Sequence, residues 1–173
     1  MNLTEFNNLG KKRVQAELLR CCGSQRWVEI LEERRPFKDF DHLQHEAAEV
    51  WNRLDPQDWL EAFGAHPKIG DLESLRHRFK DTRNWSEGEQ SGVEGASEDT
   101  LRGLAEGNRH YEERFGHLFL VCATGKSARE MLEILHQRLA NEPEKELLVA
   151  VGEQEKITRL RLAKLLDIGD TSP

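Results

Sequence analysis

A histidine set between two glycines and followed by proline is the first place in this 173-residue chain where a reactive group is held on a stiff turn. In Ala62-Phe63-Gly64-Ala65-His66-Pro67-Lys68-Ile69-Gly70-Asp71, Gly64 permits a left-handed end to a preceding helix, Pro67 lacks an amide hydrogen and Gly70 frees the backbone again. His66 therefore sits where no helix runs through, and its imidazole titrates near neutrality. The same residues would equally serve as a plain connector. A Ser-x-x-Glu-Gln segment, Ser86 with Glu89 and Gln90, adds hydroxyl, carboxylate and amide groups in a stretch too poor in apolar residues to be core.

The chain's end adds a cation. With Leu147 as origin and about 100° per residue, Val151, Leu162 and Leu165 define an inner helix face, and Gln154, Thr158 and Arg161 fall inside it. An arginine in an apolar stripe needs an acceptor, since unpaired burial costs several kcal/mol. Two partners fit: a protein carboxylate such as Glu112, or a carboxylate on a substrate, which a guanidinium fork suits. His42-x-x-His45 with Glu46 is the best metal-like cluster among the 7 histidines, but no His-Glu-x-x-His is present and a metal is not expected. His110 and His117 read as surface residues. No glycine-rich phosphate loop, Gly-x-Ser-x-Gly elbow or cofactor lysine site occurs.

The elements that must position these groups are helices. Start signals stand at Thr4, Ser24, Asp41, Asp55-Pro56, Asp71, Ser97, Ser127 and Asn141-Glu142-Pro143, and stop signals at Gly23, Pro36, Gly64 and Gly116. Apolar spacings of three and four follow most starts, as in Leu43, Ala47, Val50, Trp51 and Leu54. His117 to Ala123 is the one strand-like run and has no partner run, which points to a buried extended segment or a helical turn. The expected architecture is all-α, an irregular bundle of roughly eight helices. One domain spanning 1–173 is expected, with an ordered core from about 3 to 166 and a short polar tail.

Net charge −7, with 25 basic residues interspersed among 32 acidic ones, leaves no basic stripe for nucleic acid. Mean hydropathy of −0.73 and short apolar runs give no membrane span, and the N-terminus lacks signal-peptide character. Cys21, Cys22 and Cys122 have no framework spacing and read as reduced, packed thiols. The last residues carry no Ser-Lys-Leu address. A cytoplasmic, bacterial setting is the expectation.

Four segments taken together carry a resemblance: Gly64 to Gly70, Trp85 to Gly92, Phe115 to Ala123 and Glu153 to Leu162. In that order they resemble the 2-oxo-4-hydroxy-4-carboxy-5-ureidoimidazoline (OHCU) decarboxylases of urate breakdown, and the likeness runs from Leu3 to about Leu166. The resemblance implies a helical, homodimeric, cofactor-free carboxy-lyase that converts OHCU to (S)-allantoin and CO2, working downstream of uricase and hydroxyisourate hydrolase. It implies that His66 is the catalytic histidine, with Glu89 orienting it. Pro67, Ser86, Glu87, Gly88, Gln90 and Arg161 would contact substrate, as would the backbone of Phe119, Leu120, Val121, Cys122 and Ala123. One departure is His117-Leu118, where many members carry Phe-Pro.

Other readings of the same residues are a lyase or hydrolase for another small ureido acid, a phosphotransfer bundle phosphorylated on His66, and a non-enzymatic helical interaction module. Phosphotransfer needs the histidine in mid-helix, which Pro67 opposes. A scaffold has no use for Arg161, Gln154 and Thr158 on the core side.

Overall fold

A computed structural model describes residues 1–66, 73, 75, 76 and 97–168. The expected start at Asp71, the Trp85 to Gly92 segment with Ser86, Glu87, Gly88, Glu89 and Gln90, Pro67 and the C-terminal tail lie outside the described residues. Among the described residues every regular element is helical, as the sequence predicts. Eight helices have defined bounds: α1 (Leu3–Asn7), α2 (Lys11–Cys21), α3 (Gln25–Glu33), α4 (Phe40–Trp51), α5 (Pro56–Gly64), α6 (Glu98–Phe115), α7 (Ala128–Leu139) and α8 (Pro143–Leu165). Glu73, Leu75 and Arg76 are helical as well.

Most helix starts stand where side-chain oxygens meet orphan amides. Ser24, Ser97 and Ser127 each accept from the amide three residues on, a bond that stabilises a helix by about 1 kcal/mol. Two starts differ from expectation. Asn2, not Thr4, caps α1, because its side chain and the Glu5 carboxylate satisfy each other's backbone amides at 2.9 and 3.0 Å. Asp39, not Asp41, caps α4 by accepting from the His42 amide at 2.7 Å, which leaves Asp41 in the first turn where the helix dipole favours a carboxylate.

The chain divides into two compact units, Met1–His66 with Val151–Pro173, and Pro67–Ala150. In the first, α3 packs against α2, α4 and α5, and it buries Trp27, Val28 and Leu31. Tryptophans lock these helices by donating indole N–H groups to backbone carbonyls of neighbouring helices: Trp27 to Ala47 at 3.0 Å, Trp59 to Trp51 at 3.0 Å, and Trp51 to Val151 on α8 at 3.1 Å. Each ring buries a large apolar area while its one polar atom stays paired.

In the second unit α6 packs on α7 around Leu75, Leu101, Leu104, Tyr111, Ala128, Met131 and Leu135. α6 ends at Gly116, whose left-handed φ of +73° is open to glycine at no steric cost. Residues 117–123 then run without helix or strand, in keeping with the extended segment expected there. His117 is not a surface residue: it is buried, with its ring edge-on to Tyr111 at 5.5 Å. His110 is exposed.

Candidate active site

His66 is delivered by α5. Asp55 and Asp58 form a capping box at its start, Pro56 fits the first turn, and Ala62 and Phe63 are buried. The helix does not end in a left-handed Gly64. Gly64 is its last helical residue, Ala65 follows in right-handed geometry, and the amides of Ala65 and His66 close the turn on the carbonyls of Ala62 and Phe63 at 3.3 and 3.2 Å. A tight 3₁₀-type turn satisfies those carbonyls without any positive φ. His66 then lies in a bend, half-buried, and not in mid-helix as a phosphotransfer histidine would.

Close approach of another turn supports this bend. A Cβ built on Gly23, between α2 and α3, would lie 2.2 Å from the Cβ of Ala65 and 3.5 Å from the Ala62 carbonyl oxygen. Neither neighbour is a flexible chain end. Gly23→Ala is therefore expected to lose about 1–3 kcal/mol of stability through overpacking, and the shift moves the residue next to Ala65, which is His66. Denaturant unfolding measures it, and unchanged stability would mean the turn has room to spare.

The His66 ring meets α8. Its Nε2 lies 2.6 Å from Oε1 of Gln154, a wholly buried side chain whose amide nitrogen donates to Thr158 Oγ1 at 3.1 Å. Thr158 in turn lies beside the Cys22 thiol. On α8 the buried residues Glu146, Ala150, Gln154, Thr158 and Leu162 follow one another at intervals of four, while Leu147 is only half-buried. The polar residues thus occupy the centre of the inner stripe and not its edge.

Arg161 is half-buried and pairs with neither Glu112 nor any other carboxylate among the described residues. It donates to the carbonyls of Arg20 and Cys21 at 3.4 and 3.3 Å, at the C-terminus of α2 where the helix dipole favours a cation. These long bonds compensate its charge only in part. Burial, first, and then the Arg161 charge hold the His66 pKa below its ordinary 6.5, against the opposing bond to Gln154. The ring is therefore neutral at neutral pH rather than poised at it. Burial likewise pushes the Cys21 and Cys22 thiols up to about 12 and 11, so both stay protonated and are poor nucleophiles.

The second unit carries the 119–123 segment, held by residues that the sequence reading missed. Arg138 Nη1 donates to the Leu120 carbonyl at 2.5 Å, and its guanidinium lies 4.8 Å from the centre of the Phe119 ring. Arg138 also pairs with Glu146 at 2.6 Å; Glu146 accepts from the Tyr111 hydroxyl and, at 2.7 Å, from Asn141. Burial and the bond to Glu146 push the Tyr111 phenol up, so it stays a donor. Lys126 ties the Cys122 carbonyl at 2.8 Å. The amides of Phe119, Leu120, Val121 and Ala123 donate no hydrogen bond among the described residues. A signal for Arg138 existed: it continues the Ala128, Met131, Leu135 stripe of α7 at a spacing of three.

Among the described residues no group of three or more His, Cys, Asp or Glu could hold a metal ion. Glu46, beside His42, is engaged by Arg34 at 2.5 Å. No helix among them is long and apolar enough to cross a membrane.

A family model described as OHCU decarboxylase matches residues 7–163. The chain is 37% identical over 146 residues to the uric acid degradation bifunctional protein TTL of Arabidopsis thaliana, an alignment covering 84% of this chain and 45% of that protein. The chain thus spans less than half the length of that relative. It is 29% identical over 133 residues to the 2-oxo-4-hydroxy-4-carboxy-5-ureidoimidazoline decarboxylase of Mus musculus, covering 77% of this chain and 74% of the mouse protein. A crystal structure of OHCU decarboxylase in the presence of (S)-allantoin superposes with a TM-score of 0.70 at 35% identity, over 87% of this chain and 97% of that one.

Proposed function

The chain belongs to the OHCU decarboxylase family, and from that premise we propose that it decarboxylates OHCU to (S)-allantoin and CO2 in urate degradation, without a cofactor. The observation that carries this is the His66 ring, held on a bend with its Nε2 2.6 Å from the Gln154 side-chain oxygen and, among the described residues, with the Arg161 charge acting on it.

The chemistry needs little more than placement. OHCU carries its carboxylate and a hydroxyl on one ring carbon, next to a ring C=N bond. When CO2 leaves, the electron pair of the broken C–C bond forms a C=C bond, and the C=N electrons move to nitrogen, which takes a proton. The resulting enol gives up its hydroxyl proton, and the carbon bearing the ureido group receives one on a single face. Because an anion becomes two neutral products, one proton is taken up per turnover. Neutral His66 is the base for the hydroxyl proton, and its imidazolium is then an acid close to the ring. Arg161, which among the described residues makes long bonds to two carbonyls, offers its guanidinium to an anionic or carbonyl oxygen of the substrate. The 119–123 amides are donors for ring and ureido carbonyls. Pro67, Ser86, Glu87, Gly88 and Gln90 keep the substrate-binding roles the resemblance gives them, and Glu89 its part in proton transfer. A homodimer, one family domain across 1–173, and a cytoplasmic setting alongside uricase and hydroxyisourate hydrolase complete the proposal.

The test uses OHCU generated freshly from urate by those two enzymes, with allantoin chirality followed by circular dichroism. Rapid formation of the S enantiomer is expected. The acid limb carries a sign as well: burial and the Arg161 charge lower the His66 pKa, so the acid-side fall of kcat/KM is expected at a lower pH than an ordinary histidine would give. Decay no faster than the spontaneous, racemic reaction would overturn the proposal.

A further inference from the structure

We infer that Gln154 is a positioning residue: its side-chain carbonyl accepts from His66 Nε2–H and holds the ring in the tautomer whose Nδ1 takes the proton from the substrate hydroxyl. This rests on the decarboxylase reading for the reaction, and on geometry alone for the ring.

The amide's orientation follows from its other end. Gln154 Nε2 donates to Thr158 Oγ1 at 3.1 Å. The Gln154 carbonyl is then the end facing His66, at a separation of 2.6 Å, and Nε2 must carry the hydrogen. Nδ1 makes no hydrogen bond among the described residues, so the lone pair left there is the basic atom.

At the Gln154 position an amide and a carboxylate would act differently on the ring. A carboxylate would orient the ring equally well but stabilise the imidazolium, giving a histidine already protonated at rest. A wholly buried amide fixes orientation and tautomer while adding no charge. Among the described residues the titratable and charged groups around the ring agree: Arg161 on α8, the protonated thiols of Cys21 and Cys22 at the end of α2, and Glu61 on α5, which acts on Cys22. Of these, Arg161 is the one that acts on His66, and it opposes a second positive charge.

The experiment is nitrogen-15 correlation spectroscopy of the imidazoles at pH 8 without substrate, together with steady-state kinetics, on wild type, Gln154→Met and Gln154→Glu. In wild type His66 is expected as a single Nε2–H tautomer. Gln154→Met should show a mixture of tautomers and lose about 10- to 100-fold in kcat with little change in KM. Gln154→Glu keeps the acceptor, so the tautomer should persist while the acid limb of the pH profile moves up. That variant also guards against a Met variant that fails to fold. An Nδ1–H tautomer in wild type overturns the inference whatever the activity, as does a Gln154→Met protein with both tautomer and kcat unchanged. A locked Nε2–H ring in a protein without OHCU turnover would instead sink the decarboxylase reading and leave Gln154's hold on the ring standing.

Discussion

His66→Asn is expected to lower kcat for OHCU decarboxylation by about 10²- to 10⁴-fold, the usual worth of a positioned general base or acid. Asparagine keeps a polar side chain at the bend, but it has no atom that accepts and returns a proton near neutral pH. Because the ring also supplies the partner of the Gln154 carbonyl, the substitution should cost stability too, about 1–3 kcal/mol for a buried acceptor left unpaired. The two losses separate in measurement. Thermal unfolding reads the second, and allantoin formation by the folded fraction reads the first. Residual product should also lose its chirality, since proton delivery to one face is the step that imposes it. A His66→Asn enzyme that turned over as wild type, with S product, would remove His66 from the mechanism.

Arg138 carries the other large effect, this time on stability. Its guanidinium and the Glu146 carboxylate are 7% and 0% exposed, so removing either partner leaves a buried charge that its neighbours cannot compensate. Arg138→Met should cost about 3–5 kcal/mol in urea unfolding, and Glu146→Gln a similar amount. The double variant Arg138→Met with Glu146→Leu should regain much of that loss, because an apolar pair of similar volume needs no compensation. Activity should not return with stability. Arg138 ties the Leu120 carbonyl and faces the Phe119 ring, so the double variant loses that hold on the 119–123 segment, keeps the Lys126 bond to the Cys122 carbonyl, and should show a raised KM for OHCU. A loss below 1 kcal/mol for Arg138→Met would show that the ion pair is dispensable. A double variant with wild-type KM would show that the tether does not serve binding.

How far the sequence reaches follows from the range of the forces involved. Ser24, Asp55-Pro56, Ser97 and Ser127 mark helix starts because a cap acts on amides two or three residues away, and Gly116 marks an end because left-handed geometry is a property of one residue. Local competition also explains the errors. Asn2, two residues before Thr4, stands just outside the helix where its side chain reaches the Glu5 amide, and Asp39, two residues before Asp41, reaches the His42 amide in the same way. Gly64 needed no left-handed turn once Ala65 and His66 closed the helix with shorter-range bonds. Periodicity placed Gln154, Thr158 and Arg161 on the inner face of α8, and the order of four segments carried the family.

What these residues touch was not written locally. His66 and Gln154 are 88 positions apart, and Arg161 reaches carbonyls 140 and 141 positions away. Arg138 reached Leu120 only after α6 and α7 had packed, although its place on the α7 stripe was visible. Capping and amphipathic spacing are decided within one or two turns, so the sequence by itself determined an all-helical chain with a histidine on a bend and a cation on an inner face. Which side chains meet depends on how buried faces choose one another across long separations. Tertiary packing alone therefore decided that the histidine is held by the Gln154 amide and that Arg161, which acts on it, bonds backbone carbonyls at the end of α2.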